Sequence, residues 1–222
     1  GLWGVTIGGR ETLDTKESIP EEAWVRTRGA FDAPRAPTRH VIDFERGVPS
    51  ALDGEEGDPV ALIERIDALA AAFGIGRGIH LGETVLGTKG RVAFEAPAAT
   101  VLITAHRELE KLTLTERQQR LKDGLARSYG DFVHQGLFLE PACRDIEALL
   151  ERSQERVSGR VFMLLRPGSL FVEGVISPHS LRDASSAIYG EATGEWSPED
   201  ARGFCRLQGI PAVLHARAGR AR

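Results

Sequence analysis

The stretch from Gly74 to Ala105 constrains the fold of this chain most, because it concentrates glycine between positions 74 and 90. A helix interior is excluded there, since each glycine would cost about 1 kcal/mol relative to alanine. Glycines suit tight turns and places where the backbone closely approaches another group. Two interpretations stay open: a β-hairpin with glycine turns, or a ligand site in a polar, glycine-rich segment that leads into a helix at Pro97.

The composition is that of a globular protein, with 41% hydrophobic and 27% charged residues. A formal net charge of -4 argues against nucleic acid and anionic membranes as partners. Cys143 and Cys205 are far apart and lack metal-ligand spacing, so we expect reduced thiols in a cytoplasmic protein. No apolar run approaches the roughly 20 residues of a membrane span. We therefore expect a cytoplasmic protein whose partners include neither nucleic acid nor membrane.

Strand and helix patterns occur in blocks, which favours the α+β class with a mixed or antiparallel sheet and several helices. Hairpins are predicted at residues 40–52 and 160–176, on either side of a helical middle. Start signals predict a last, short helix at Ser197 and a final strand at Pro211–Ala216. The longer helices are predicted to begin at Pro59, Pro97, Glu116 and Pro141.

The chain opens without methionine on Gly1-Leu2-Trp3, which predicts a segment of a longer protein; a cloning remnant is the alternative. Neither an internal repeat nor a low-complexity linker interrupts it, so residues 1–222 are predicted to form a single domain. The polar loop 10–38 is long for a compact domain, and loops of that length are usually functional or disordered.

The motifs of several enzyme classes are missing. The glycines at 74–78 lack the full dinucleotide spacing and follow a helix, and there is no P-loop, nucleophile elbow or zinc motif. His80 and Glu83 are close enough to suggest a metal site or an acid–base pair, but two residues do not make a site. The residues alone therefore predict an α+β domain that binds something polar, with no catalytic residue and no metal ligand assigned.

The most specific pattern consists of six short stretches spread over nearly the whole chain: Leu-Trp-Gly-Val-Thr-Ile-Gly-Gly (2–9), Phe-Glu-Arg-Gly-Val-Pro (44–49), Gly-Ile-Gly-Arg (74–77), Gly-Thr-Lys-Gly-Arg-Val-Ala-Phe-Glu-Ala-Pro (87–97), Leu-Thr-Leu-Thr (112–115) and Glu-Asp-Ala-Arg-Gly-Phe (199–204). In this order they resemble the carboxy-terminal, substrate-binding and assembly half of the argininosuccinate synthase family. The family's amino-terminal half, with its Ser-Gly-Gly pyrophosphate loop, has no counterpart in these residues.

The resemblance implies a part in arginine biosynthesis. In this family ATP adenylates the ureido oxygen of citrulline with release of pyrophosphate, and the amine of aspartate then displaces AMP. The implied partners are citrulline, aspartate and an amino-terminal nucleotide-binding half, which holds most of ATP and its Mg²⁺. This chain would be the citrulline-binding and oligomerisation half, inactive alone, in a homotetramer. Loop 10–38 and tail 209–222 are the candidate inter-subunit arms.

The resemblance also implies which residues hold the amino-acid end of citrulline. The family uses a hydroxyl, a glutamate and a tyrosine. Thr6 falls on the hydroxyl position, and Phe94 falls on the tyrosine position without its phenol. Gly82 falls on the glutamate position, so either the loop shifts by one residue and Glu83 takes the role, or the contact is lost. We favour the shift, because a carboxylate is the natural partner of an ammonium group.

Two other hypotheses stay open. The losses at Gly82 and Phe94 are what a retired site would show, which favours a non-catalytic, stand-alone assembly or amino-acid-binding module. Alternatively, the chain is an unrelated α+β domain with chance matches. That hypothesis predicts that Thr6, Glu83 and Phe94 lie far apart.

Overall fold

The computed structural model describes residues 1–185 and 196–220. The chain divides into two compact units, residues 1–181 and 182–222, which are described separately. Residues 1–181 contain β1 (Val5–Ile7), β2 (Thr38–Glu45), β3 (Val48–Leu52), β4 (Glu55–Glu56), α1 (Pro59–Ala71), β5 (Arg77–Glu83), β6 (Lys89–Glu95), α2 (Pro97–Thr113), α3 (Glu116–His134), α4 (Pro141–Gln154), β7 (Gly159–Arg166) and β8 (Ser169–Ile176). The predicted α+β class with antiparallel sheets is confirmed, and the single domain stays a prediction.

A five-stranded antiparallel sheet with the order β4-β3-β2-β7-β8 carries the main core. Its hairpin between β2 and β3 turns through Arg46 and Gly47, both with positive φ. Helix α1 begins as predicted, because the Asp58 side chain accepts hydrogen bonds from the backbone of Val60 and Ala61. The apolar faces of α1 and α2 pack with the sheet around a core that includes Ile42, Phe44, Leu62, Ile66, Val101, Leu109, Val161 and Met163.

The glycine-rich segment forms the β5–β6 hairpin of a second, three-stranded sheet with the order β1-β6-β5. The hairpin closes where the backbone N–H of Thr84 donates to the carbonyl of Thr88, 2.7 Å away. Gly87 in this turn has a φ of 79°, which a residue without Cβ adopts at little cost. The hairpin interpretation of this segment is therefore confirmed as to fold.

Helices α3 and α4, which follow α2 in the chain, pack on each other. The hydroxyl of Thr115 accepts a hydrogen bond from the backbone of Gln118, whose side chain accepts one from the backbone of Thr115. This capping box fixes the start of α3 where the sequence predicts it. A cavity lies between helices α2, α3 and α4 and the β2–β3 turn, and it is described below.

The described part of the second unit is dominated by α5 (Pro198–Arg220). The predicted strand at Pro211–Ala216 is wrong, because these residues continue the helix. Phe204, Leu207, Ile210 and Leu214 recur at helical and not strand spacing, and proline inside a helix removes one hydrogen bond without forbidding the conformation. The sequence of residues 177–195 shows no helix or strand period, and part of this segment, 186–195, lies outside the described residues. Among those that are described, no helix is both long and apolar enough to cross a membrane.

Candidate functional site

Strand register brings Thr6 and Phe94 together. Thr6 lies directly opposite Phe94 on the β1–β6 ladder, and Phe94 lies opposite Gly78 on the β5–β6 ladder. Because side chains alternate along strands, one face of this sheet is set by these pairs. We call it the Thr6 face; it consists of Thr6, Gly78, His80, Gly82, Gly90, Val92 and Phe94.

Glycines on the Thr6 face make room for two rings. A Cβ built on Gly78 would overlap the tip of the Phe94 ring, and one built on Gly82 would overlap the His80 imidazole. Both rings therefore lie across β5 in space that a larger residue would fill. Thr6 and His80 are exposed, and Phe94 is half-buried. Beside them lies a shallow depression of about 420 Å³, lined by Gly1, Gly4, Val5, Thr6, Phe94, Glu95 and Ala96.

Glu83 does not join this group. It pairs in register with Lys89 at the far end of β5, and its carboxylate lies 3.0 Å from the Lys89 ammonium. Glu83 follows Gly82 directly in β5 and therefore lies on the opposite face of the sheet. A register shift of one residue would be needed to bring it to the Thr6 face, and that shift would move every other side chain of β5 to its opposite face as well. The structure thus brings Thr6, Phe94 and Gly82 to one face and leaves Glu83 off it. Their roles with citrulline stay predictions.

The opposite face is fastened to loop 10–38 by Glu95, a fully buried carboxylate. It accepts hydrogen bonds from the backbone of Val25, Arg26 and Thr27 at 2.8 to 3.1 Å and from the Thr27 hydroxyl at 2.5 Å. Burial alone would raise the pKa of Glu95, but these hydrogen bonds outweigh it and the pKa is lowered. Glu95 therefore stays ionised and holds the loop against β6.

Arg77 makes the second attachment of the loop. Its guanidinium stacks on Trp24 and Phe31, with centroid distances of 4.7 and 5.0 Å. It also donates two hydrogen bonds of 2.7 Å to Glu21 and one of 2.6 Å to the Thr27 carbonyl. The hydrogen bond from Arg77 is the largest cause that lowers the pKa of Glu21, to about 2.

Arg91 makes the third attachment, since its guanidinium donates to the carbonyl groups of Glu11, Asp14 and Glu17. The loop 10–38 is thus held on its own sheet by three charged side chains. Its role as an inter-subunit arm stays a prediction. The sequence contains one signal for these attachments. Arg77, Arg91 and Glu95 each stand next to a residue of the Thr6 face, and neighbouring side chains of a strand point to opposite faces of the sheet.

A second cavity, of about 1170 Å³, opens between the β2–β3 turn and helices α2, α3 and α4. His106 lines it and donates from Nε2 to Gln154 Oε1 at 2.7 Å, while the amide of Gln154 donates to Glu110 at 2.8 Å. Lys122 Nζ lies 3.1 Å from the same Glu110 carboxylate. Burial is the main cause that lowers the pKa of His106, against the opposing effects of Glu110 and Gln154. These contacts connect α2 with α3 and α4.

The metal or acid–base pair that His80 and Glu83 could suggest is not formed, since the two residues lie on opposite faces of β5. Within residues 1–185 and 196–220, no three or more His, Cys, Asp and Glu side chains gather in a way that could hold a metal ion.

Comparison with known proteins agrees with the geometry. The model of the family described as "Arginosuccinate synthase C-terminal domain" matches residues 1–215. An argininosuccinate synthase of Xylella fastidiosa is 37% identical over 221 residues, which are 99% of this chain and 54% of the relative. One from Xanthomonas campestris is 38% identical over the same shares, and one from Dehalococcoides mccartyi is 40% identical over 97% of this chain and 53% of the relative. The chain spans about half the length of these curated relatives. It belongs to the argininosuccinate synthase family, and specifically to the family of its C-terminal domain.

Proposed function

We propose that this chain is the citrulline-binding and oligomerisation half of an argininosuccinate synthase, a ligase of arginine biosynthesis that acts in the cytoplasm. The observation that carries the proposal is the direct pairing of Thr6 with Phe94 on the open face of the three-stranded sheet. This pairing argues against an unrelated domain, in which the two positions have no reason to meet.

The chain's own residues contribute positioning. The Thr6 hydroxyl can donate to and accept from the amino-acid end of citrulline, and the Phe94 ring provides an apolar surface next to it. Fixing the ureido group of citrulline relative to an activated phosphate can supply a large share of the rate without any group that transfers protons. We assign no catalytic residue to this chain. ATP and Mg²⁺ belong mainly to a nucleotide-binding half, so that the chain alone is inactive.

Oligomerisation is assigned to the second unit. Along α5 the apolar side chains Phe204, Leu207, Ile210 and Leu214 are all exposed, and Leu207 is 67% exposed. Such a stripe on one face of a helix is typical of a surface that packs against another chain. Residues 209–220 lie within this helix, and tail 209–222 is the candidate inter-subunit arm of a homotetramer.

The alternative is a stand-alone assembly or amino-acid-binding module without catalysis. Two observations favour it: Phe94 lacks a phenol, and Glu83 is turned away from the Thr6 face and bound to Lys89. In that case the sheet keeps its shape without holding citrulline.

Calorimetric titration of citrulline into the intact protein that carries this segment, with its nucleotide-binding half, tests the proposal. We expect binding, and we expect Thr6→Val to weaken it about tenfold, because one hydrogen bond is lost. The matched control is Thr15→Val, which removes an exposed hydroxyl from loop 10–38 and should leave binding unchanged. No binding by the unaltered protein would favour the non-catalytic module.

A further inference from the structure

Strand β5 is a long, open edge of the three-stranded sheet. Its inner side pairs with β6, and within the described residues no strand pairs with its outer side. Its seven residues, Arg77–Glu83, follow β6 without a register shift. Of the other edge strands, β1 has three residues, β4 has two glutamates, and β8 has an irregular register with β7. A long, regular edge strand without a central charge can pair with a further strand.

The hydrogen bonds of the hairpin show which backbone groups of β5 face outward. Near its two ends, the N–H of Thr84 donates to the carbonyl of Thr88, and the N–H of Ala96 donates to the carbonyl of Gly76. Both bonds fit the β5–β6 register, in which hydrogen-bonded pairs alternate with non-hydrogen-bonded ones. The even-numbered residues of β5 therefore bond to β6. The odd-numbered residues direct their N–H and C=O groups to the open edge; they are Arg77, Ile79, Leu81 and Glu83.

The side chains of this edge are complementary to themselves in the antiparallel direction. Ile79 and Leu81 are 47% and 57% exposed at the centre, and the ends of the strand carry the opposite charges of Arg77 and Glu83. A second β5, related by a twofold axis at His80, places Ile79 opposite Leu81 and Arg77 opposite Glu83. This register aligns the outward backbone groups and pairs the whole strand. An axis at Ile79 or Leu81 would leave one end of each strand unpaired.

The Thr6 face has room for such a contact. On that face β5 carries Gly78, His80 and Gly82, so each glycine meets a glycine of the second copy on either side of the axis. The exposed His80 ring lies over its own Gly82, and the tip of the Phe94 ring lies over Gly78. Each imidazole therefore comes to about one strand spacing, about 5 Å, from the Phe94 ring of the second copy. The second copy thus adds a side chain beside the candidate site.

We propose that β5 is an interface at which two copies of this chain pair edge to edge, so that their three-stranded sheets form one six-stranded antiparallel sheet. The contact is isologous, because both copies use the same strand, and it closes at two copies. It is separate from the apolar stripe of α5 and does not depend on citrulline binding. A tetramer built from twofold contacts needs two different surfaces, and β5 provides the second. The complementary charges at positions 77 and 83 favour a second copy over an unrelated strand.

Disulfide formation at the twofold axis tests the proposal on the intact protein with its nucleotide-binding half. His80 faces itself as a non-hydrogen-bonded pair, whose Cα atoms lie about 4.5 Å apart, within the range of a disulfide. All variants carry Cys205→Ser, which removes an exposed thiol. After mild oxidation, His80→Cys should give at least tenfold more covalent dimer on a non-reducing gel than His134→Cys, at an exposed position at the end of α3.

A charge at the open edge tests the same interface without a cross-link. Leu81→Lys places an ammonium group at the centre of the edge, which disfavours pairing, and should lower the molar mass measured by light scattering about twofold. Leu139→Lys makes the same change at a residue that is 90% exposed between α3 and α4, and it should keep the mass. Both leucines are exposed, so thermal melting should show unchanged stability.

Equal amounts of covalent dimer in the two cysteine variants, or an unchanged molar mass in Leu81→Lys, would overturn this inference. Either result would leave the proposed function standing, because citrulline binding and the α5 stripe are measured separately. An edge that is covered by the nucleotide-binding half would give both of these results.

Discussion

Glu95 and Thr27 are joined by two hydrogen bonds, because the buried Glu95 carboxylate accepts both the backbone N–H and the hydroxyl of Thr27, at 2.8 and 2.5 Å. The two residues are 68 positions apart in the chain. Their contact fixes loop 10–38 to the strand that carries Phe94 on its other side. Of the three charged side chains that hold this loop behind the candidate site, Glu95 is therefore the one that binds it through a buried carboxylate.

Replacing this carboxylate should be costly. In Glu95→Gln the amide group faces donors that it cannot satisfy, so buried N–H groups lose their partner. We expect a loss of about 3 kcal/mol in the free energy of unfolding, measured by urea denaturation. Glu83→Gln removes an exposed carboxylate from the same hairpin and should change stability by less than about 0.5 kcal/mol. Equal effects of the two variants would contradict the role of Glu95.

Protonation of His106 should destabilise the fold. Because the native pKa is lowered from its usual 6.5, the unfolded chain binds the proton more tightly than the folded chain. The stability is therefore complete above pH 6.5 and decreases as the pH falls through the lowered native pKa. The groups around the ring are Glu110, Lys122, Gln154 and the ring of Phe44.

The urea midpoint, measured between pH 7.5 and pH 5, checks this expectation. His106→Gln keeps a polar side chain near Gln154 but does not titrate, so its midpoint should depend less on pH than that of the unaltered protein. His134→Gln, at an exposed position, serves as the control and should keep the original dependence. An identical pH dependence for His106→Gln and the unaltered protein would show that other groups cause it.

Local signals predicted most of the fold. The Asp58-Pro59 start, the Thr115 cap and the two hairpins of the five-stranded sheet appear in the structure close to their predicted limits. Each is encoded within a few residues, by capping, turn chemistry or the period of apolar positions. The prediction of a final strand at Pro211–Ala216 was wrong, because the local pattern there does not determine the structure. A short apolar run after Pro211 does not distinguish strand from helix without the residues upstream.

The candidate site was predicted less well, because strand register decides it. The sequence analysis let Glu83 take the role of position 82, since the two positions are adjacent in the chain. Adjacent residues of a strand lie on opposite faces of the sheet, so this small difference decides whether the side chain reaches the site. The attachments of loop 10–38 depend on residues such as Arg77 and Glu95, which are far from their partners in sequence. Alternation predicts which residues of one strand share a face, but the pairing of β5 with β6 is needed to show that Arg77 and Glu95 lie on the same face of the sheet.

The apolar stripe of α5 should control assembly. Leu207→Asp places a charge in the middle of that stripe, and burying an unpaired charge in a contact between chains is strongly unfavourable. We expect the molar mass of the intact protein, measured by light scattering at a fixed concentration, to fall from that of a tetramer to that of a smaller species. Gln208→Asp adds the same charge beside the stripe and should leave the mass unchanged. A tetramer that persists in Leu207→Asp would place the interface elsewhere.

The substitution Phe94→Tyr adds a phenol hydroxyl to the Thr6 face and tests whether citrulline lies on that face. The tip of the Phe94 ring lies over Gly78 on the outer strand, so a hydroxyl added there is accessible to a ligand on that face. One added hydrogen bond should tighten citrulline binding by about twofold to tenfold in calorimetry. Phe171→Tyr adds a hydroxyl to an exposed ring on β8 and should have no effect. Because Phe94 is only half-buried, Phe94→Tyr should leave the melting temperature of the protein unchanged. An unchanged affinity for citrulline would mean that citrulline does not lie across this ring.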